Sequence, residues 1–489
     1  KVSCDLTDRN EGESILVRES SIFLFNFSSN ITLSTYRVEI NGLEPNSNYT
    51  YNCNLTSHHI NNTRIFPFYG FVQMKRNLVI PWNLDTGVGD CRPSNISFCN
   101  LRTAIASASW TDQMFGIEQM LTFSNSKRHL LAGKSIEIRN ATIIINGTMN
   151  QIFEQRSLSG RIFHIFDKSK LLMQNVTLQN GYAKDNQDSG GLISVTTYSS
   201  LYLNNVTLQN SIANLHGGAL SITNFSFLSL QGCRIVNTSS STGNGGGVYV
   251  DDNSVASLDS VIVSHNTAYE NGGGIFAQGN SSIYITSSMF IDNTVYQKNG
   301  GAIMLIDNSI SQINGSIIER NEAFQGLAGG LYLSSSNLLL YKSSFTNNIA
   351  KHTVNELYLG NQNAWIDIID STFTNSLIDS PNHLIAGEGH THIMENSIIQ
   401  TKVTPNSTLQ SMINYTGNSL TIDDSSLKIE DGYSANFDGV KQEVDILTTS
   451  SPVLVRNCDI QCLTEDYNCN QDANFVECNT APSMDYPFI

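Results

Sequence analysis

"GGGVYVDDN" occupies residues 245–253, and a near copy, "GGGIFAQGN", occupies residues 272–280. Each stretch has three glycines, then a short apolar triplet, then a polar turn. One glycine of each glycine run recurs at intervals of 27 or 28 residues, at Gly191, Gly218, Gly246, Gly273, Gly301 and Gly329. A fixed period of this length is the signature of a repeat architecture.

Each repeat predicts three short β-strands. The first is the triplet after the glycines (248–250), the second follows a polar turn (283–285 in the next repeat), and the third follows one more turn (261–263). Apolar residues alternate in these segments, and helical i, i+3, i+4 spacing is absent. We therefore predict an all-β fold, a right-handed parallel β-helix whose successive coils pair about 4.8 Å apart.

The repeated glycines and asparagines have physical reasons in such a fold. Glycine fits a sharp turn into the first strand, where a Cβ would be opposed. Asparagines repeated coil on coil are expected to form ladders of amide hydrogen bonds. One ladder is predicted after the third strand, at Asn210, Asn237, Asn266, Asn293, Asn321 and Asn348, and another in the first turn, at Asn253, Asn280, Asn308, Asn337 and Asn363.

Composition limits the function classes. The formal net charge is −16, with only 27 Lys and Arg residues, which argues against a nucleic-acid partner. No run of 18 apolar residues occurs, so we expect no transmembrane segment. The first residues do not read as a signal peptide, so we expect the chain to be a processed form. No cofactor is expected apart from N-linked glycans.

Cysteines and glycosylation sequons predict an extracellular protein. Cysteines crowd at both ends without a CxxC zinc knuckle, so we predict disulfides rather than metal sites; the candidates are Cys4, Cys53, Cys91, Cys99, Cys458, Cys462, Cys469 and Cys478. Cys233 remains as a buried free thiol in the register of Val206 and Val261. Candidate glycosylation sites are Asn26, Asn30, Asn48, Asn54, Asn61, Asn95, Asn140, Asn146, Asn175, Asn205, Asn224, Asn280, Asn314, Asn406 and Asn414. Asn237 also has a sequon but is expected to be too enclosed.

Two motifs resemble known families. "DTGVGDCRPSNISFCNLRTAIASAS" (residues 85–109) resembles the D-x-x-D-G-x-C…C-S-L-R-E-A-I-x-A-A-N cap of surface β-helix proteins, departing from it at Asn100, Thr103 and Ser109. "GGAL" (217–220), "GGAI" (300–303), "FIDN" (290–293) and "FTNN" (345–348) resemble the repeats of polymorphic outer-membrane proteins. The resemblance covers residues 85–435 and implies a pectin-lyase-like fold. The related proteins include adhesins and surface coats.

We predict four regions. Residues 1–75 form an N-terminal β-sandwich-like module, since "LEPNSNYTY" (43–51) resembles part of a fibronectin type III domain. Residues 76–134 form a linker and a capping helix, whose apolar face is expected at Leu101, Ile105 and Ala108. Residues 135–437 form the β-helix, and residues 438–489 a cysteine-rich cap or tail.

The outward residues of the first strands decide the functional prediction. In our register they form an exposed stripe of Tyr249, Phe276, Met304, Tyr332, Tyr358 and Ile385, without carboxylate or basic groups. Such a stripe predicts an interface with other protein subunits, including copies of the chain itself, or with surface glycans. The alternative is that the loops before the glycine pairs bury the stripe.

We therefore expect a secreted or cell-surface structural or adhesive glycoprotein, a subunit of a fibre, coat or matrix built by end-to-end or lateral contacts. The alternative is a polysaccharide lyase or glycoside hydrolase, because pectinase-like enzymes use this fold; fold alone does not decide activity. His390 and His392 could bind a metal, but an exposed turn explains them equally well, so no metal site is predicted.

Overall fold

The computed structural model describes residues 100–427, except 116–117, 124–127, 132, 157–159, 185–187, 353, 376–382, 404–410, 416–418 and 424. At 110–111, 114–115, 119, 149–150, 401–403, 411–412 and 415, and in the strands outside 100–427, only the backbone is described. The fold is an all-β parallel β-helix of about ten coils, which confirms the predicted fold class.

The first sheet contains the strands that follow the glycine pairs and the strands that align with them in the earlier and later coils, and neighbouring strands are parallel. Its strands are Ile136–Arg139, Phe163–Phe166, Ile193–Val195, Leu220–Ile222, Val248–Val250, Ile275–Ala277, Ile303–Leu305, Leu331–Leu333, Val354–Leu359, His383–Gly387, Ser411–Tyr415, Gln442–Thr449 and Tyr467–Asn470.

The second and third sheets follow in each coil. In the first two coils one strand contributes to both sheets, namely Thr142–Gln155 and Lys170–Gln179. The second sheet continues with Ser200–Asn204, Phe227–Gln231, Val255–Asp259, Ser282–Thr286, Ile310–Asn314, Asn337–Tyr341, Trp365–Ile369, His390–Met394, Ser419–Asp423, Val453–Arg456 and Phe475–Asn479. The third continues with Thr207–Gln209, Arg234–Val236, Ile262–Ser264, Met289–Ile291, Ile317–Glu319, Ser344–Thr346, Thr372–Asn375, Ile398–Val403, Ser426–Asp431 and Asp459–Leu463.

A fourth sheet of two-residue strands adds to the three strands predicted per coil. Its strands are Tyr182–Ala183, Ile212–Ala213, Ser239–Ser240, Thr267–Ala268, Thr294–Val295, Glu322–Ala323 and Ile349–Ala350. Three further strands lie at the N-terminal end of the β-helix. Arg76–Ile80 pairs with Gln119–Phe123, and both Gln119–Phe123 and Arg128–Leu131 pair with Thr142–Gln155. Strands Val2–Asp8, Ser14–Val17, Asn48–His59 and Asn62–Gln73 form an antiparallel sheet, and Leu24–Phe25 pairs with Thr35–Tyr36.

The repeat period determines which residues form the core. Val248 pairs with Ile275, and Ile275 with Ile303, so residues 27 or 28 apart lie in successive layers. All three side chains are fully buried in one continuous apolar cluster. Burying these triplets removes apolar surface from water in every coil, and this removal is the main stabilising contribution to the stack.

The glycine pairs are required for two different reasons. Gly245 has a φ of +68°, a left-handed conformation that side chains oppose. Gly246 faces the next coil so closely that a Cβ would lie 2.2 Å from the carbonyl oxygen of Gly273. The predicted turn into the first strand is therefore confirmed, and close coil-to-coil contact adds a second constraint.

A single described α-helix, Leu101–Phe115, packs on the N-terminal coils. Leu101, Ile105 and Ala108 are buried as predicted. Asn100 is the N-cap, since its Oδ1 accepts a hydrogen bond of 2.9 Å from the Thr103 N–H.

Candidate functional site

The outward column of the first sheet exists, but much of it is not accessible. Backbone pairing aligns Tyr249, Phe276, Met304, Tyr332 and Tyr358 in consecutive coils. Only 5% of Tyr249, 1% of Phe276 and 7% of Met304 is exposed, whereas Tyr332 and Tyr358 are half-buried. The prediction of an exposed stripe is therefore wrong for the first three residues, and the alternative of burial holds there.

Neighbouring turns cover this column. The imidazole of His216 stacks on the Tyr249 ring with centroids 4.4 Å apart, and Phe276 follows at 5.7 Å. The Tyr249 hydroxyl donates to Asp251 Oδ2 at 2.6 Å and accepts from Gln278 Nε2 at 2.9 Å. Burial is the main reason that the pKa of Tyr249 is raised and the pKa of His216 is lowered. These rings are packed parts of the fold rather than a free surface.

Ile385 does not belong to the outward column. It pairs with Leu357 and is fully buried, while Ala386 is the outward neighbour of Tyr358. The pairing shifts between Val354 and Leu357. Because side chains alternate between the two faces of a strand, a one-residue difference in register moves Ile385 into the core.

The outward column also begins earlier than the sequence prediction placed it. Glu137 pairs with His164, and His164 pairs with Ser194. An ion pair lies close by, with Arg161 Nη2 2.5 Å from Asp188 Oδ1. Burial, and then the charge of Arg161, lowers the pKa of His164. In the sequence, the triplets "IEI" (136–138) and "FHI" (163–165) have the alternating pattern of a first strand with a charged or titratable central residue, and they could have predicted this end of the face.

An exposed aromatic column lies elsewhere, directly after the fourth strands. Tyr269, Tyr296 and Phe324, here called the aromatic column, are 39%, 50% and 50% exposed. Their alignment follows from hydrogen bonds between coils, since the Tyr296 N–H donates to the Ala268 carbonyl and the Phe324 N–H to the Val295 carbonyl. Sequence reasoning missed it, although "AYE", "VYQ" and "AFQ" recur at the repeat period.

The same three coils present a second apolar column on the third sheet. Ile262, Met289 and Ile317, here called the third-sheet column, are aligned by strand pairing, with Ile317 exposed and the other two half-buried. A charged corner separates the two columns. There Arg320 Nε lies 2.9 Å from Asp292 Oδ1. These three coils thus present two columns of partly exposed apolar side chains.

The histidines of the "GEGHTH" segment lie on the second sheet. His390 stacks on Trp365 with centroids 4.9 Å apart, and His392 Nδ1 is 3.3 Å from Asp367 Oδ1. The Trp365 indole N–H donates to the same carboxylate oxygen at 3.2 Å. Within the described residues no group of three or more His, Cys, Asp or Glu side chains could hold a metal ion.

Four of the predicted ladder asparagines form a continuous buried ladder. Nδ2 of Asn266, Asn293 and Asn321 donates to Oδ1 of the next asparagine, ending at Asn348, over 2.9, 2.9 and 2.8 Å. Each Nδ2, including that of Asn348, also donates to a main-chain carbonyl oxygen of the preceding coil. All four residues are fully buried. The hydrogen bonds satisfy polar groups that would otherwise be costly to bury.

Asn210 and Asn237 lie outside this ladder. They occupy the neighbouring exposed column, where Nδ2 of Asn237 donates to Oδ1 of Asn210 at 2.9 Å. The buried position in the coil of Asn237 belongs to Thr238, whose Oγ1 donates to Asn266 Oδ1. The predicted series thus joined two adjacent columns. Asn237 is exposed, so the expectation that it is enclosed is wrong.

The buried ladder ends on a carboxyl group. Glu356 is completely buried, and its carboxylate oxygens accept hydrogen bonds from the backbone N–H of Asn348 at 3.2 Å and from its Nδ2 at 2.5 Å. Asn355 and Glu356 occupy the place of the glycine pair, because the Gly330 N–H donates to the Asn355 carbonyl. Burial raises the pKa of Glu356 to about 8.

The asparagines predicted in the first turn share a backbone conformation in three coils but do not form a ladder of amide hydrogen bonds. Asn253, Asn280 and Asn308 align and have φ between 56° and 64°, a left-handed region that asparagine tolerates. Asn337 instead begins a second-sheet strand opposite Ile310, because this turn is one residue shorter. Asn363 lies in an exposed turn, where its N–H donates to Asn361 Oδ1. The predicted amide ladder is therefore wrong for this series, and Asn337 and Asn363 also lie outside the aligned turn position.

Several predicted sites can be placed. Cys233 is a buried free thiol, as predicted, and burial raises its pKa. Exposed sequon asparagines are Asn140, Asn205, Asn224 and Asn280, and half-buried ones are Asn146, Asn175, Asn314 and Asn414. The side chains of Asn26, Asn30, Asn48, Asn54, Asn61, Asn95 and Asn406, and of all eight disulfide candidates, lie outside the described residues. Backbone pairing sets Cys4 opposite Cys53.

In the part of the chain that the structure describes, no helix is long and apolar enough to cross a membrane. Comparison of the chain with protein-family models, curated proteins and solved structures finds no match.

Proposed function

We propose that this chain is an extracellular or cell-surface structural or adhesive glycoprotein whose rods associate side by side into a coat, fibre or matrix. The observation that carries the proposal is the aromatic column of Tyr269, Tyr296 and Phe324. Three consecutive coils expose large rings along one edge of a rigid β-helix. Contiguous exposed apolar surface of this kind is characteristic of interfaces.

The neighbouring third-sheet column widens the apolar surface. Because strand pairing fixes the coil spacing at about 4.8 Å, the rings of one rod can pack between those of a second copy over several coils. The turns that carry the aromatic column contain no sequon in the described residues, so N-linked glycans would leave this edge bare. A second copy of the chain is therefore the partner that the surface fits.

Charge predicts how the association depends on salt. Each copy has a formal net charge of −16, so two rods repel each other at low ionic strength. Salt screens this repulsion, with a Debye length of about 10 Å at 0.1 M and about 3 Å at 1 M. Association through apolar columns should therefore strengthen as salt is added, whereas association through ion pairs should weaken.

The test is sedimentation of the purified glycoprotein over a range of concentration and salt. Replacing Tyr269, Tyr296 and Phe324 together by Ser should abolish association and leave the circular dichroism spectrum unchanged. The matched control replaces Tyr284 and Leu339 by Ser, which removes exposed apolar side chains from the second sheet. Equal association of the triple variant and the unmodified chain, or a strict monomer at high concentration, would refute the proposal.

A further inference from the structure

An open surface cavity of about 540 Å³ lies beside the capping helix. Its walls are formed by Gln113, Arg139, Asn140, Asp167, Lys168 and Thr197. The volume falls in the range of ligand sites, yet no apolar side chain lines it. These polar side chains can hydrogen-bond to hydroxyl or amide groups of a ligand.

One residue of the lining is itself a glycosylation sequon. Asn140 begins "NAT" (residues 140–142), is exposed, and has a φ of +46°. It lines the cavity together with Arg139 and Asp167, whose Nε and Oδ2 form an ion pair at 2.7 Å. The Arg139 side chain is 69% exposed, so its remaining N–H groups face solvent.

An aromatic surface continues from the cavity along the same turn. Lys168, Tyr198 and Phe225 align in successive coils, since the Lys168 N–H donates to the Thr197 carbonyl and the Tyr198 N–H to the Asn224 carbonyl. The rings of Tyr198 and Phe225 stack at 5.1 Å and 9°, and are 58% and 53% exposed.

The backbone at these rings is strained. Tyr198 and Phe225 have φ of 58° and 57°, which bulky residues rarely adopt. Such conformations cost about 1–2 kcal/mol each. Positive φ recurs at turns throughout this β-helix, for example at Lys168, Asn253 and Arg320, so it belongs to the turn geometry. What distinguishes Tyr198 and Phe225 is that this turn position exposes two large stacked rings.

We propose that the cavity and the aromatic pair hold the N-linked glycan attached to Asn140. Core sugars occupy the cavity, where hydroxyl and acetamido groups hydrogen-bond to Asp167, Lys168 and Thr197. Later sugars pack their C–H faces on Tyr198 and Phe225. The glycan thereby bridges the capping helix, through Gln113, to the first coils. This inference depends on the glycoprotein status in the proposed function.

The attachment chemistry requires a donor from the secretory pathway. Nδ2 of Asn140 forms a bond to the anomeric carbon of an oligosaccharide carried on a polyprenyl diphosphate. The bond from that carbon to the diphosphate oxygen breaks, the diphosphate leaves with the electron pair, and the amide nitrogen loses one proton. On this route glycosylation precedes folding, so the cavity forms beside a glycan already present.

The experiment is expression in glycosylating cells, followed by glycopeptide mass spectrometry and digestion of the native protein with an amidase that releases N-glycans. We expect the Asn140 glycan to be released about tenfold more slowly than the Asn237 glycan on an open turn, equivalent to about 1.4 kcal/mol of contact. Tyr198→Asn should remove this protection, because asparagine suits the turn but provides no ring.

Asn140→Asp should lower the unfolding temperature more than Asn237→Asp, although Asn237 loses a hydrogen bond to Asn210. An unoccupied Asn140, or a glycan released as fast as that of Asn237, overturns this inference while the glycoprotein proposal stands. Absence of glycan from every sequon overturns the glycoprotein proposal itself.

Discussion

The buried amide ladder gives a quantitative prediction at Asn293. Its Oδ1 accepts from the Asn266 N–H at 3.1 Å and from Asn266 Nδ2 at 2.9 Å. Its Nδ2 donates to the Val263 carbonyl and to Asn321 Oδ1, both at 2.9 Å. Asn293→Ala removes all four hydrogen bonds from a site that is fully buried.

The energetic consequences differ among the partners. The Asn266 N–H is left buried without this acceptor, which costs about 1–3 kcal/mol. Asn266 Nδ2 keeps its bond to the Ile235 carbonyl, and Asn321 Oδ1 keeps the Asn293 N–H, so these losses are smaller. With about 0.5–1.5 kcal/mol for each remaining bond, the free energy of unfolding should fall by about 4 kcal/mol.

Urea denaturation of the variant and the unmodified chain measures this difference. The control is Asn337→Ala, an exposed asparagine on a second-sheet strand, which should change stability by less than about 0.5 kcal/mol. Asn293→Asp keeps the side-chain shape but removes the donor, and so tests the direction of the hydrogen bonds. The second carboxylate oxygen would face the Val263 carbonyl and Asn321 Oδ1, both of which are acceptors. It should be at least as destabilising at neutral pH and partly rescued in acid, where the protonated carboxyl can donate. A loss of less than about 1 kcal/mol for Asn293→Ala would refute the reasoning.

Two further predictions concern the end of the ladder and the glycine turn. Burial raises the pKa of Glu356 to about 8 from its ordinary 4.5. Between these two pH values the folded chain keeps a proton on Glu356 that the unfolded chain has lost. The stability that this proton contributes is therefore lost as the pH rises from about 4.5 to about 8. Glu356→Gln should therefore flatten the fall in urea resistance between about pH 5 and about pH 9, and an unchanged pH profile would contradict this assignment. Gly246→Ala should cost more than about 3 kcal/mol or prevent folding, because its Cβ would lie 2.2 Å from the Gly273 carbonyl oxygen. The control is Gly232→Ala, where φ is +59° but no atom lies within 4 Å of the added Cβ, and it should cost only about 1 kcal/mol. Equal denaturation midpoints for the Gly246 and Gly232 variants would show that the close approach to Gly273 does not limit stability.

The sequence by itself determined the architecture, because a period of 27 or 28 residues places equivalent side chains in the same layer of every coil. Burial of Val248, Val250, Ile275 and Ala277 and four of the ladder asparagines follow from that period, while the capping helix follows from the spacing of its apolar residues. What only the tertiary structure decided is accessibility. Tyr249 and Tyr269 both recur as aromatic positions, yet one is covered by His216 and the other is open to solvent.

Register at irregular turns was also decided by the tertiary structure. Asn237 and Asn266 read as one series, but they are 29 residues apart and occupy adjacent columns, one exposed and one buried. The shift before Leu357 likewise carried Ile385 from the outer face to the core. The physical reason is that side chains alternate between faces, so a single inserted or deleted residue exchanges inside for outside while the average repeat period hardly changes.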